Sequence, residues 1–324
     1  MRIFVAGASG AIGRPLVAEL VRRGHEVTGM TRSEAGARHL ADMGAAVTRV
    51  SVFDAAAVEQ ALRDARAEVV IDELTSLPKD PSEMADAAPG DRKLRIEGGG
   101  NLHRAAMACG VRRYIQQTSG FFVEPGSGLA DESAGLAVNA SPRVARSART
   151  YAELEARVLN TGEMEGVALR YGFFYGPGTW YHPEGASADQ ARRQEVPVIG
   201  DGGGVWSWVQ IEDAAIATAD VLTAPPGVYN VVDDDPSPVA VWLPAFADSS
   251  VPRLPHGSPR SMRGPRPGRM PSITARSSAV PQTRRRRRRS ASSPVVWNGW
   301  TDQVRVMPDR DQGGDDGIPA LPSL

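Results

Sequence analysis

Lysine is almost missing from this chain: Lys79 and Lys93 are the only two among 37 Lys and Arg residues. Neither has a tyrosine four positions before it, so no helix carries a Tyr and a Lys on successive turns. Cysteine occurs once, as Cys109 in the helical run NLHRAAMACGV. That excludes a disulfide within the chain and leads us to expect a reducing, cytoplasmic setting. No apolar stretch approaches the roughly 18 to 20 residues of a membrane-spanning helix, so no membrane partner is expected. The first apolar run is broken by glycines, unlike a secretory signal. His182 has no metal-ligand spacing to the other histidines, and no metal is expected. A formal charge of −1 points to no charged partner, and nothing in the chain indicates its oligomeric state.

What remains, 41% apolar and 23% charged residues over 324 positions, is the composition of a globular protein with an ample core. Its first segment is the most informative. Arg2-Ile3-Phe4-Val5-Ala6 is a short apolar run of the kind that makes a buried parallel strand. Gly7, Gly10 and Gly13 follow at once, while Ile12, Leu16, Val17 and Leu20 recur at helical spacing. The glycines therefore stand where a strand turns into a helix. Gly7 permits the tight turn, Gly10 lets backbone approach a phosphate, and Gly13 lets helix pack on strand. Free N–H groups at the helix start favour negative charge, so the turn suits a dinucleotide pyrophosphate. Ser9, Ala11 and Ile12 belong to the same cradle.

Strand and helix patterns then alternate as a doubly wound α/β sheet requires. Strands are predicted at 27–30, 45–50, 69–72, 114–118 and 167–170, with helices at 33–43, 55–64 and 92–109 among those between them.

With GASGAIG at its start, the chain resembles the short-chain dehydrogenase/reductase superfamily, and more narrowly its extended epimerase/dehydratase branch. VRRYIQQTSGFF (111–122) resembles the family's fifth strand, LRYGFFYGPGT (169–179) its turn after the sixth, and WSWVQIEDAAIATADVL (206–222) a segment of its substrate half. The resemblance spans residues 1–246. It implies a Rossmann-like, doubly wound parallel sheet with a small substrate lobe at about 172–246.

Catalysis in that superfamily normally uses a Tyr with a Lys four residues later. Here the corresponding helix reads SARTYAELEARVL (147–159), with Ser147 at the Tyr position and Tyr151 at the Lys position. Tyr151 either faces the cofactor one turn displaced or is an amphipathic residue beside the cleft. The chain is an atypical member.

At the end of the second strand, NAD-preferring relatives carry an acidic residue for the ribose hydroxyls. Thr31 fills that slot here, and Arg32 beside it offers a planar fork of donors to a 2′-phosphate. The expected cofactor is NADP rather than NAD. Asp54 resembles the family's adenine-contacting Asp, Leu74 and Thr75 should reach the ribose side, and Thr118 ends the fifth strand beside them. Ser119 falls at the family's catalytic Ser slot, where a hydroxyl polarises a substrate oxygen. Tyr171, Gly172 and Phe173 open the loop over the nicotinamide, and Trp180, Tyr181 and His182 face the substrate side.

Beyond residue 247 the pattern stops. Residues 248–324 contain no Lys, Glu, Phe or Tyr, yet hold 11 of the 25 prolines and 14 Arg against 6 Asp. Such a tail buries too little apolar surface to offset its chain entropy, so it is expected to be disordered. A frameshifted 3′ end gives this composition, because out-of-frame GC-rich codons yield Arg, Pro, Ser and Gly. The other reading takes the six arginines 284–289 as a nucleic-acid contact, which the absence of interleaved aromatics disfavours. The expected activity is NAD(P)-dependent oxidoreduction, or epimerase/dehydratase-like chemistry, on a small polar or sugar-like molecule. The alternative is a catalytically silent, NADP(H)-binding redox sensor.

Overall fold

The structure is a computed structural model that describes residues 1–250, apart from 127 and 199. The expectation of a disordered tail concerns 248–324 and so lies, from 251 onward, outside the described residues.

Strand β1 (Arg2–Ala6) leads through the glycine turn into α1 (Gly13–Arg22), and β2 (Glu26–Met30), α2 (Glu34–Asp42), β3 (Ala46–Thr48), α3 (Ala55–Ala65) and β4 (Val69–Asp72) continue the alternation. Two helix starts are fixed by side chains typical of that position. Ser33 Oγ accepts from the N–H of Gly36 at 3.0 Å, and Asp54 Oδ1 accepts from that of Ala57 at 3.0 Å. After β4 come α4 (Met84–Lys93), a π-helical turn at Leu94–Gly98, α5 (Gly99–Ala108), β5 (Arg113–Ser119), α6 (Pro142–Leu159) and β6 (Glu165–Tyr171).

Smaller elements follow: β7 (Phe173–Tyr175), α7 (Ala186–Arg192), β8 (Val205–Trp206) and β9 (Trp208–Gln210). Helix α8 (Ile211–Asp220) and β10 (Gly227–Val231) return to the main sheet, and β11 (Ser237–Pro238) and α9 (Val239–Ser250) close the described chain. The main sheet is parallel, in the order β10-β6-β5-β4-β1-β2-β3. Connections run one way from β1 through β2 to β3 and the other way through β4. The switch point lies at the C-terminal ends of β1 and β4, where such sheets bind ligands.

Alternation along β1 feeds two cores. Ile3 and Val5 pack with Leu16 and Leu20 of α1 and Ala215 of α8, while Phe4 and Ala6 pack with Leu62, Leu102 and Tyr114 on the other face. The helix predicted at 92–109 starts earlier and widens at the π turn. Three successive glycines explain the tight fit that follows: a Cβ on Gly98 would lie 2.5 Å from Val52 Cγ1, and one on Gly99 3.0 Å from Asp72 Oδ2. The π turn also brings Arg95 inside, where it is buried against Asp91. Strand β3 is shorter than predicted because 49–50 leave the ladder at the sheet edge.

Helix α6 is tied to β6 by a buried ion pair. Arg170 grips Glu155 with two hydrogen bonds of 2.7 and 2.8 Å and donates to the Ala134 carbonyl at 2.9 Å. Among the described residues no helix is long and apolar enough to cross a membrane, and no cluster of three His, Cys, Asp or Glu could hold a metal.

Candidate functional site

The glycine turn has almost no slack. Gly7 takes a φ of +80°, and a Cβ there would stand 2.4 Å from the Glu73 carbonyl oxygen at the end of β4. A Cβ on Gly13 would stand 2.2 Å from the Gly7 oxygen. Gly10 differs: a Cβ on it would meet only the Gly7 oxygen, at 3.1 Å, and its outer side is open. Helix α1 begins with no side-chain cap, since Ile12 offers none. The Arg14 N–H bonds back to the Gly10 carbonyl at 3.2 Å and Pro15 has none, so the turn offers a dinucleotide pyrophosphate the N–H groups of Ile12 and Gly13. Arg14, which the sequence reading passed over, donates from Nε to the Ser9 carbonyl at 3.0 Å and places a cation beside this turn.

Thr31 is buried, with its hydroxyl 2.9 Å from that of Ser9, so the tip of β2 is pinned to the glycine turn. No carboxylate stands at the Thr31 position, and the next side chain, Arg32, is exposed. Asp54 spends one carboxylate oxygen on capping α3. Leu74 and Thr75 lie half-buried after β4, where the Leu74 N–H donates to Asp72 Oδ1 at 3.1 Å. Asp72 also accepts from the Tyr114 hydroxyl at 2.8 Å.

At the end of β5, Thr118 donates to Glu155 at 3.4 Å. Ser119 is buried, and its Oγ accepts from the Phe121 N–H at 3.2 Å, which leaves its own proton free to donate. Tyr151 is half-buried and stacks on Phe122, with 5.3 Å between centroids. Among the described residues no hydrogen bond joins it to Ser119. The Arg95 guanidinium lies 5.3 Å from the Tyr151 ring centroid. Burial raises the Tyr151 hydroxyl pKa and the Arg95 charge opposes that rise. Sequence reasoning missed this cation because it arrives from the π turn, far from Tyr151 along the chain.

Tyr171 is aimed differently from the loop expectation. Its ring is buried in the core, and its hydroxyl bonds to Glu73 Oε1 at 3.0 Å and lies 2.5 Å from Thr218 Oγ1. Glu73 Oε2 has no partner among the described residues, and burial pushes the carboxyl up to about 8. Gly172 is needed for close approach, since a Cβ there would come 2.7 Å from the Ser207 carbonyl oxygen. Phe173 lies between Phe121 and Trp206, with centroids at 3.8 and 4.1 Å. The Trp180 indole N–H donates to the Pro78 carbonyl, and Tyr181 packs edge-on against Trp208, while His182 Nδ1 accepts from the Glu184 N–H.

The profile of the NAD dependent epimerase/dehydratase family matches residues 3–231. The chain belongs to this family. It is 39% identical over 250 residues to a 3-diazoavenalumate denitrifying reductase of a Streptomyces species, covering 76% of this chain and 81% of the relative. It is 29% identical over 240 residues to a dTDP-4-dehydrorhamnose reductase of Streptomyces griseus, covering 72% and 70%. Among solved structures it is similar to the UDP-glucose 4-epimerase of Thermus thermophilus in complex with NAD, with a TM-score of 0.61, 27% identity, and coverage of 77% of this chain and 83% of that one. Family and relatives together support an oxidoreductase-type enzyme with a nicotinamide dinucleotide as cofactor, and the open glycine turn fits that group.

Glu73 yields a test of the site's interior. Folding raises its pKa from 4.5 to about 8, so the folded state holds a proton that the unfolded chain gives up. The resulting stability is complete below about pH 4.5 and is lost as pH rises toward about 8. Glu73→Gln, neutral throughout, should flatten the fall of the urea midpoint across that interval. An unchanged slope would mean that Glu73 is ionised in the fold.

Proposed function

We propose that this protein is an NADPH-dependent reductase whose substrate accepts hydride without a proton from a Tyr–Lys pair, and that an aryl diazo compound is such a substrate. One observation carries the reading: the dinucleotide turn is intact while the pair is missing. Lys93 lies exposed on α4 near Glu97, and Lys79 is exposed in the loop after β4. The nature of the relative at 39% identity, a denitrifying reductase acting on a diazo compound, supports the same reading.

When bound, the reduced dinucleotide supplies the hydride. A carbonyl that receives hydride becomes an alkoxide and needs a proton, which is why a Tyr–Lys pair suits it. An arenediazonium needs none: Ar–N₂⁺ plus hydride gives Ar–H and N₂, and charge and atoms balance. The chain's own tasks are then to bind and to orient. Gly7, Gly10 and Gly13 with Ser9, Ala11 and Ile12 seat the pyrophosphate, and Thr31 with Arg32 receives the 2′-phosphate end. Asp54, Leu74, Thr75 and Thr118 border the remaining cofactor groups, with Gly172 and Phe173 on the lobe side. The Ser119 hydroxyl holds a substrate oxygen. Tyr151, stacked on Phe122 under the Arg95 charge, serves as a wall rather than as an acid. The single cysteine is in keeping with a reducing cytoplasm. A redox sensor that binds NADP(H) without turnover is the second reading, and the missing lysine favours it equally.

Arg32→Ala should weaken NADPH binding by roughly 1.5 to 3 kcal/mol and leave NADH nearly unchanged in calorimetry. Equal losses for both would remove Arg32 from cofactor choice.

With NADPH, the enzyme should turn over substituted arenediazonium salts at least about 100-fold faster than ketones or 4-keto nucleotide sugars. Tyr151→Phe should keep more than about half of that rate. Faster turnover of keto sugars, abolished by Tyr151→Phe, would restore proton-dependent carbonyl chemistry. Tight NADPH binding without turnover of any of them would favour the sensor.

A further inference from the structure

Beside the Ser119 end of β5, five aromatic rings gather in the smaller part of the molecule. Phe173 of β7 stacks on Trp206 of β8 at 4.1 Å and 17°, and Trp242 of α9 lies 4.9 Å from Trp206 and 4.8 Å from Trp208 of β9. Tyr181 packs edge-on against Trp208 at 4.8 Å. The cluster is continuous with the candidate reaction centre. Phe121, whose N–H donates to Ser119 Oγ, stacks on Phe173 at 3.8 Å and 14°. Near-parallel planes at these spacings match the way flat rings pack on one another.

A second, independent observation concerns polar atoms. The indole nitrogens of Trp208 and Trp242 and the hydroxyl of Ser207 are all buried and have no hydrogen-bond partner among the described residues. Ser207 as a whole is 4% exposed. Trp180, in the same region, does satisfy its indole N–H, on the Pro78 carbonyl at 3.0 Å. Buried donors without acceptors are rare because each leaves a desolvated dipole uncompensated. Three in consecutive or touching residues, within one aromatic cluster, call for an acceptor brought by a ligand.

We propose that this cluster is the subsite for the ring of a planar aromatic substrate bearing a phenolic or carbonyl oxygen. The flat ring joins the Phe121–Phe173–Trp206 stack. Its oxygen accepts from the indole N–H groups of Trp208 and Trp242, with Ser207 alongside, and α9 covers it. A nucleoside diphosphate sugar fits poorly here, since Asp233 donates its backbone N–H to the Trp208 carbonyl at 2.6 Å and so sets the acidic 233–235 run next to the cluster. This inference rests on the reductase reading only for where the ring lies relative to Ser119.

The test is binding, with no turnover required. Calorimetry with the full chain saturated with NADP⁺ would titrate 4-hydroxycinnamamide, a neutral planar phenol, and UDP-glucose as comparator. The amide should bind at least about 10-fold more tightly than UDP-glucose. Trp208→Phe and Trp242→Phe keep a ring but lose the N–H, and each should raise the amide Kd about 5- to 10-fold while NADP⁺ affinity stays unchanged, the size expected for one lost hydrogen bond. Wild-type affinity in both variants, or tighter binding of UDP-glucose, would overturn the proposal. Should a variant fail to fold by circular dichroism, the wild-type comparison of the two probes decides alone. Amide binding that depends on Trp208 upholds the subsite even if no diazonium is reduced; reduction with both variants unimpaired upholds the reductase and removes the subsite.

Discussion

Everything at the candidate site depends on how closely the β1–α1 turn presses against the end of β4. The gap admits no side chain at Gly7, whose would-be Cβ lies 2.4 Å from the Glu73 carbonyl oxygen, nor at Gly13, 2.2 Å from Gly7 itself. Because these two glycines are locked against backbone, α1 starts directly over the sheet's switch point, with the Ile12 and Gly13 N–H groups at its start. Gly10, with open space on its outer side, is the one glycine of the three that faces outward. The turn is thus built from two glycines that settle packing and one that leaves room for a ligand.

That same closeness explains the polar interior behind the turn. Glu73, forced into the core with β4, finds Tyr171 and through it Thr218, and burial holds its proton. On the opposite face, Asp72 meets Tyr114 and lies 4.0 Å from Arg157, which ties β4 to β5 and α6. These groups brace the strand ends beside the glycine turn. On the proposed reading, chemistry is then left to Ser119, with Tyr151 under the Arg95 charge as a wall and the aromatic layer beyond. On that reading, a site without a Tyr–Lys pair suits a substrate that needs only hydride.

Much of this was legible in the residues. The strand–glycine–helix sequence at 1–20, the apolar strands at 69–72 and 114–118 and the alternation between them lead to a doubly wound sheet, and that sheet is present. The missing Tyr–Lys pair is equally plain, because it needs only the positions of two lysines. Less was legible where side chains meet across the chain. Arg95 reaches Tyr151 through a π turn that no periodicity announces. Tyr171 lies in a motif that resembles a cofactor loop, yet its ring turns inward because Glu73 and Thr218 await its hydroxyl. Trp206 and Trp208 lie in the segment that resembles the family's substrate half, but nothing in the sequence joins Trp242 to them; the short strands and α9 do so.

The fate of the hydrogen atom tests hydride-only reduction most directly. The full-length protein would be given an arenediazonium substrate with [4,4-²H₂]NADPH in ordinary water, and with unlabelled NADPH in D₂O. Mass spectrometry and NMR of the product arene locate the label at the carbon that lost N₂. Hydride transfer without a protein-held proton predicts one deuterium there from the cofactor and none from the solvent. Solvent deuterium at that carbon, with none from the cofactor, would contradict it.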